Sequence, residues 1–246
     1  MRLELELFLK KIEDLKVKIF ADGANKNEML EMHKKPFIKG LTTNPTLMKK
    51  AGIKNYKAFC KDILSSIKDK PISFEVFSDD LLEMERQALE IASWANNVYV
   101  KIPVTNTSGN YTYELIKKLT DQKVKINVTA VMTINQVSNI VDKLNKSTPS
   151  YISVFAGRIA DTGIDPLPLL TSVIKIIKSN PLIELIWASP RELLNIFQAD
   201  SINCHIITVS NEIIRKLHLV GHDLDKYSLE TVKMFYEDAV KADFKL

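Results

Sequence analysis

The chain has 246 residues, of which 46% are hydrophobic, and it contains seven glycines and nine prolines. This length and composition exclude a disordered or linker-rich protein and allow one substantial hydrophobic core. The net charge is +4, and the lysines are spread along the sequence. A solvated surface is the simplest explanation of that charge, which also suits small anionic substrates better than nucleic acid.

The cysteine and histidine patterns give no sign of a metal centre. Cys60 and Cys204 are the two cysteines, and the four histidines form no HExxH-type pair. Two isolated cysteines fit a reducing compartment, so we expect a cytoplasmic protein. The N-terminal MRLELELFLKKIEDLK lacks the continuous apolar run of a signal peptide, and no apolar run is long enough to span a membrane.

Short β-rich runs alternate with amphipathic stretches along the chain. We predict eight strands, over Lys18–Gly23, Ile38–Thr43, Ile72–Phe77, Val98–Val104, Lys125–Val131, Tyr151–Gly157, Glu184–Ser189 and Cys204–Ser210. This alternation implies a parallel sheet, and eight units in this length predict a closed (β/α)8 TIM barrel. An open doubly wound sheet is the alternative, but the first strand runs into ADGANKN, which has no GxGxxG.

Helix signals agree with this order. Asn44-Pro45 marks a helix start after the second strand, and Asp79-Asp80 begins the helical stretch DDLLEMERQALEIASWA. We expect Ser228 to cap a final helix. No linker interrupts the series, so we predict a single domain over residues 1–246, with extra helices before and after the barrel.

Polar residues fall at the predicted ends of the first three strands. Asp22 ends the first strand, where a cap for the next helix is its simplest role, and Asn44 follows the second strand as a helix start. Glu75 lies within the third strand. Because both faces of a parallel sheet are covered, an isolated glutamate there is hard to explain as a surface residue.

The fourth strand, VYVKIPV, contains a lysine. By the period of two, Val98, Val100 and Ile102 face the helices, which leaves Lys101 in the barrel lumen. The later strands add more polar residues at the same end. The inward set is Asp22, Asn44, Glu75, Lys101, Asn127, Thr129 and Ser153, with Arg158, Ser189 and Arg191 at the rim.

So many inward polar groups are costly for a protein that needs only a core. Burial disfavours the charged form of a lysine, and a neutral amine can attack a ketone to form a Schiff base. Asp22 or Glu75 can serve as the general base, and two arginines with a serine are suited to bind phosphate. A purely structural salt-bridge network in the lumen is the alternative.

At these residues the chain resembles the transaldolase family, especially its short branch, which includes fructose-6-phosphate aldolases. The motifs are FADGAN (20–25), GLTTNPTL (40–47), FEV (74–76), VKIPVT (100–105), NVT (127–129), FAGRIAD (155–161) and ASPR (188–191). The resemblance covers most of the chain and implies a (β/α)8 barrel with the Schiff-base lysine on strand 4.

The resemblance also implies roles for the residues in these motifs. Lys101 matches the Schiff-base lysine, Asp22 the acid–base aspartate, and Glu75 and Thr129 the pair that holds the catalytic water. Sugar hydroxyls would be bound by Asn44, Asn127 and Ser153, and phosphate by Arg158, Ser189 and Arg191. No metal or organic cofactor is implied, since the imine does the work of a Lewis acid.

Two positions favour transfer over simple cleavage within the family. Transaldolases typically have glutamate in the third-strand motif and phenylalanine before the GR motif, as in Glu75 and Phe155 here, where the aldolase branch has glutamine and tyrosine. Cleavage by an aldolase and a non-catalytic sugar-phosphate-binding barrel remain alternatives. The expected partners are sugar phosphates and further copies of the chain, in rings of five or ten by analogy.

Several positions depart from the family pattern. Gly23 stands where Thr or Ser is usual, Trp187 replaces a small residue beside the expected phosphate site, and Glu192 follows Arg191. These departures leave the lysine chemistry intact and suggest an unusual sugar phosphate as a further alternative.

Overall fold

The computed structural model describes residues 11–246 and contains a closed barrel of eight parallel strands in the order β1 to β8. The predicted TIM barrel is therefore confirmed. The strands are β1 (Lys18–Asp22), β2 (Ile38–Thr42), β3 (Ile72–Glu75), β4 (Val98–Pro103), β5 (Ile126–Val131), β6 (Ser150–Val154), β7 (Ile183–Trp187) and β8 (Ile206–Ser210).

Helices connect the strands on the outside. They are α1 (Lys26–Lys34), α2 (Pro45–Lys50), α3 (Tyr56–Ser66), α4 (Leu81–Ala92), α5 (Tyr113–Asp121), α6 (Ile134–Lys143), α7 (Ala156–Asp161), α8 (Leu167–Ile177), α9 (Leu194–Ser201), α10 (Asn211–Arg215) and α11 (Leu224–Lys241). Short 3-10 turns cover Ile12–Asp14 and Lys216–Leu219.

The predictions for the helices after and before the barrel have different outcomes. The expected cap at Ser228 is wrong: the cap lies five residues earlier, where the side chain of Asp223 accepts a hydrogen bond from the Lys226 amide. Asp223 suits this position because a short carboxylate satisfies an amide that has no partner within the helix. The extra helix predicted before the barrel stays a prediction, because residues 1–10 lie outside the described part of the chain.

Alternate residues of each strand face two different cores. Val98, Val100 and Ile102 of β4 are buried in the large core between the strands and the helices. Tyr99 instead packs into a small cluster inside the barrel, with Phe20 and Tyr151 among its members. This period of two therefore directs Lys101, two residues after Tyr99, into the lumen as predicted.

Aromatic rings fill the part of the lumen one layer toward the amino ends of the strands. Tyr99 and Tyr151 stack with ring centroids 3.9 Å apart, and Phe20 meets Tyr151 edge-on. A Cβ atom at Gly40 would lie 2.5 Å from the Phe20 ring, so only glycine leaves room for it. This packed layer supports the polar layer above it, at the carboxyl ends of the strands, where barrel chemistry is located.

The last helix differs from the others because it buries none of its residues. Its exposed side chains include Leu224, Val232, Phe235, Tyr236 and Val240, each more than half exposed. Within residues 11–246, none of the helices combines the length and apolar character needed to cross a bilayer.

Candidate active site

Lys101 occupies the centre of the polar layer. It is 7% exposed as a residue, and its Nζ lies 3.0 Å from Glu75 Oε2. The register of β3 and β4 pairs these two residues directly. The Nζ also donates a hydrogen bond of 3.0 Å to the carbonyl oxygen of Thr43 at the end of β2. The amine is thus in the lumen, as predicted, and it is paired with a carboxylate rather than isolated.

Asp22 forms the second centre of the layer. Its neighbours in register are Thr42 on β2 and Ser210 on β8, and Thr42 Oγ1 donates to Asp22 Oδ1 at 2.7 Å. Burial raises the pKa of Asp22; the charge of Lys101 and the Thr42 hydrogen bond act against this, and Glu75 adds to it. A carboxyl group with a raised pKa can both hold and release a proton closer to neutral pH.

Asp22 does not cap the following helix, so that simpler interpretation is wrong. The side chain of Asn25 accepts from the Glu28 amide and caps α1. Asn44 does act as a cap, because its Oδ1 accepts from the Leu47 amide at 2.9 Å. Its amide nitrogen remains the part of Asn44 that can donate to a ligand.

Amide and hydroxyl groups on β3, β5 and β6 form a short chain. Ser153 Oγ donates to Asn127 Oδ1 at 2.7 Å, and Asn127 Nδ2 donates to Ser73 Oγ at 3.1 Å. All three residues are buried, and Asn127 is completely inaccessible. These two hydrogen bonds fix the orientation of the Asn127 amide beside Lys101, its neighbour in register.

Thr129 lies one layer further toward the mouth of the barrel. The residue is 2% exposed, and its Oγ1 has no hydrogen-bond partner within the described chain. The register of β5 and β6 shifts between Val128 and Val131, and Ala130 has a φ of 61°. This bulge redirects the strand at Thr129, as bulges near active sites commonly do.

The three rim residues come from two neighbouring segments. Gly157 in α7 packs so closely on the turn after β7 that an added Cβ would lie 1.5 Å from the Ser189 carbonyl oxygen. This contact fixes Ser189, whose φ is 59°. Arg158 extends over the Phe155 ring, with 5.9 Å from guanidinium carbon to ring centroid.

Arg191 is already paired in this arrangement. Its Nε donates to Asp161 Oδ1 at 3.0 Å, and a second contact joins Nη2 to Oδ2. The Arg191 guanidinium lowers the pKa of Asp161. The rim therefore has a carboxylate next to the predicted phosphate-binding arginines, which sequence reasoning did not include.

Trp187 was expected beside the phosphate site, and that expectation is wrong. Its side chain is 1% exposed and belongs to the core between strands and helices, whereas Ile186 faces the lumen. Glu192 is an exposed residue next to Arg191. At Gly23 an added Cβ would have its nearest neighbour at 3.8 Å, so the site has room for a small side chain.

Three hydroxyl groups of the polar layer were not in the predicted inward set: Ser73, Thr42 and Thr208. Thr42 contacts both Asp22 and the Thr208 hydroxyl, and Ser73 supports Asn127. Each lies an even number of residues from an inward-facing residue on its own strand, so strict alternation could have identified them.

Comparisons with known proteins agree with this geometry. A family model described as Transaldolase/Fructose-6-phosphate aldolase matches residues 19–246. A "Probable transaldolase" of Dehalococcoides mccartyi is 34% identical over 202 residues, which cover 82% of this chain and 90% of the relative. A "Probable transaldolase" of Thermoanaerobacter sp. is 33% identical over 231 residues, covering 94% of this chain and 100% of the relative. One from Methanococcus maripaludis is 32% identical over 82% of this chain and 89% of the relative.

Proposed function

The chain belongs to the transaldolase/fructose-6-phosphate aldolase family, and on this premise we propose that it transfers a dihydroxyacetone unit between sugar phosphates through a Schiff base on Lys101. The donor is a ketose phosphate, fructose 6-phosphate or sedoheptulose 7-phosphate. The acceptor is an aldose phosphate. The observation that carries this proposal is the buried Lys101 amine beside the Glu75 carboxylate, in one layer with Asp22.

The first step joins Lys101 to the donor. Glu75, 3.0 Å away, is positioned to accept the proton that the ammonium must lose. The neutral amine then attacks the C2 carbonyl, and the carbinolamine loses water to give a protonated imine. Glu75 and Thr129 would hold that water; the buried Thr129 hydroxyl has no protein partner among residues 11–246 to compete for it.

The second step breaks the bond between C3 and C4. Asp22 takes the proton of the C4 hydroxyl, the aldose phosphate leaves as an aldehyde, and the bonding electrons move to the imine nitrogen to form an enamine. The raised pKa of Asp22 fits a group that must give this proton back. Asn44, Asn127 and Ser153 would hold the sugar hydroxyls, and Arg158, Ser189 and Arg191 the phosphate.

The third step reverses the second with a new aldehyde. The enamine attacks C1 of the acceptor, Asp22 protonates the new hydroxyl, and water hydrolyses the imine to release the product and the amine. Atoms and charges balance over the cycle, and no outside reductant or oxidant is needed.

Borohydride trapping tests this proposal directly. With a panel of ketose phosphates, reduction of the imine should add a stable mass to a peptide containing Lys101. Lys101→Met should abolish both the adduct and turnover while circular dichroism stays that of the folded barrel. Lys118→Met is the matched control, because this exposed lysine pairs with Glu85 on the surface. The assignment is refuted if Lys101→Met keeps normal turnover, and a wild type without adduct would favour a non-catalytic binding barrel.

Cleavage without transfer, as in fructose-6-phosphate aldolases, is the second candidate. Glu75 and Phe155 favour transfer, and Phe155 offers no hydroxyl to the lumen cluster on which it packs. Heptulose formed in the presence of acceptor, measured against free dihydroxyacetone formed without it, separates the two activities. The same donor panel tests an unusual sugar phosphate, for which the buried position of Trp187 gives no further support.

We also propose that the protein acts in the cytoplasm as a homo-oligomer, a pentamer or decamer by family analogy. The exposed apolar side chains of α11 support contact with another copy. Light scattering after size exclusion should give a mass several times 28.0 kDa, and Phe235→Asp with Tyr236→Asp should lower it. A monomer at micromolar concentration would contradict this proposal.

A further inference from the structure

The side chains of Asp22, Thr42 and Thr208 form a continuous series of hydrogen bonds, with the candidate acid–base residue at one end. Thr42 Oγ1 donates to Asp22 Oδ1 at 2.7 Å, and the hydroxyls of Thr42 and Thr208 are in direct contact. Thr42 is 3% exposed and Thr208 7% exposed. The two threonines come from the two neighbours of β1: Thr208 lies opposite Phe20 and Thr42 opposite Asp22 in register.

The number of available protons determines which group donates in each of these two hydrogen bonds. A threonine hydroxyl has one proton, and an ionised carboxylate can only accept. When Asp22 is ionised, Thr42 must use its proton for Asp22, so the proton in the second contact must come from Thr208. Without the Thr208 hydroxyl, Thr42 loses the partner that holds its oxygen in place and can turn away from Asp22.

We propose that Thr208 is a positioning residue that acts through Thr42 to hold the Asp22 carboxylate ready for proton transfer. Thr208 would not touch the substrate; its effect would be on Asp22 alone. This inference rests on the proposed function, because it assigns proton transfer to Asp22. It adds to that function a residue of β8 that none of the family-like motifs contains.

The charged groups around Asp22 determine what removal of the hydroxyl should do. Lys101 on β4 lowers the pKa of Asp22 and Glu75 on β3 raises it, and both remain in a Thr208 variant. Beyond β8, Glu28 of α1 and Arg215 of α10 pair with each other at 2.9 Å. Hydrogen bonds to a carboxylate favour its ionised form, so a weaker Thr42 contact should raise the pKa of Asp22 further.

The test compares pH profiles of kcat/KM for transfer by wild type, Thr208→Val and Thr208→Ser. Valine keeps the shape but lacks the hydroxyl, and serine keeps the hydroxyl. We expect Thr208→Val to move the acid limb of the kcat/KM profile upward by about half to one pH unit, which corresponds to the net free energy of one hydrogen bond. At pH values above the acid limb, kcat/KM should change little. Thr208→Ser should have its acid limb at the same pH as the wild type.

Thr148→Val is the matched control. Thr148 is 1% exposed and its hydroxyl donates to the Thr120 carbonyl oxygen, away from Asp22, so its limb should not move. The inference is overturned by an unmoved limb in Thr208→Val, by a uniform loss at all pH values, or by equal shifts in the Thr148 control. If Thr208→Val does not fold, Thr208→Ala removes the same hydroxyl and is judged by the same outcomes. Lysine trapping in the wild type tests the proposed function separately.

Discussion

Gly157 is the position where one added methyl group should disturb the rim of the barrel most. A Cβ there would lie 1.5 Å from the Ser189 carbonyl oxygen and 2.7 Å from its carbonyl carbon. Both distances are far shorter than any normal contact between these atoms. The turn cannot move freely, because Ser189 already has a φ of 59° and the Ala188 amide is bonded to the Val154 carbonyl at 2.8 Å.

We therefore expect Gly157→Ala to destabilise the fold by about 3 kcal/mol, at the upper end for overpacking in a rigid core. For a domain of this size, that corresponds to a fall in Tm of roughly 6 to 12 °C. The KM for phosphorylated donors should rise as well, because the displaced turn carries Ser189 and Arg191.

Gly23→Ala is the matched control. Gly23 also follows a strand at the mouth, but its added Cβ would meet nothing closer than 3.8 Å. Its φ does not lie in the left-handed region, so alanine should be neutral or stabilise by about 0.4–1 kcal/mol through the unfolded chain. Chemical unfolding of both variants checks the comparison. Equal stabilities would refute the reasoning from the close contact, whatever the activities are.

Other predictions concern charged and thiol groups. Because burial raises the pKa of Asp22 above its unfolded value, its protonated form favours folding. Its contribution to stability is therefore lost as pH rises through the folded pKa. Asp22→Asn should be inactive, and it should gain stability relative to wild type as pH rises above the ordinary pKa of an aspartate, about 4; a constant difference in unfolding free energy would contradict this. Asp161→Asn frees Arg191 from its carboxylate, so it should lower the KM for a phosphorylated donor severalfold. The KM for unphosphorylated dihydroxyacetone should not change to match. An unchanged KM for the phosphorylated donor would contradict the proposed role of Arg191 in phosphate binding. Burial raises the pKa of both Cys60 and Cys204 to about 12, so a thiol reagent at pH 8 should label the native protein far more slowly than the unfolded one, and rapid labelling would mean that the barrel opens locally.

The sequence predicts the strands well because their pattern is local. The buried runs of a parallel sheet are continuous and apolar, and each predicted run overlaps the strand that forms, as Val98–Val104 does β4. The inward placement of Lys101 follows from strict alternation on a straight strand. Ser228 fails as a cap because serine and aspartate both suit that position, and the helix already begins at Leu224, where the Asp223 side chain accepts from the Lys226 amide.

Pairings within the site could not be read from the sequence. Asp161 and Arg191 are thirty residues apart, and their contact depends on how α7 packs on the turn after β7. Thr42 and Thr208 meet only because the barrel closes between β8 and β1. The resemblance places Trp187 beside the expected phosphate site, although alternation from Ile186 directs its side chain to the outer core.

The Lys101–Glu75 pair has a consequence for catalysis that an isolated amine would not have. Glu75 Oε2 lies 3.0 Å from the Lys101 Nζ, so in the proposed mechanism the proton that the amine must lose has an acceptor within hydrogen-bond distance. Glu75→Gln removes the acceptor but keeps the shape, so it should slow imine formation more than it weakens donor binding.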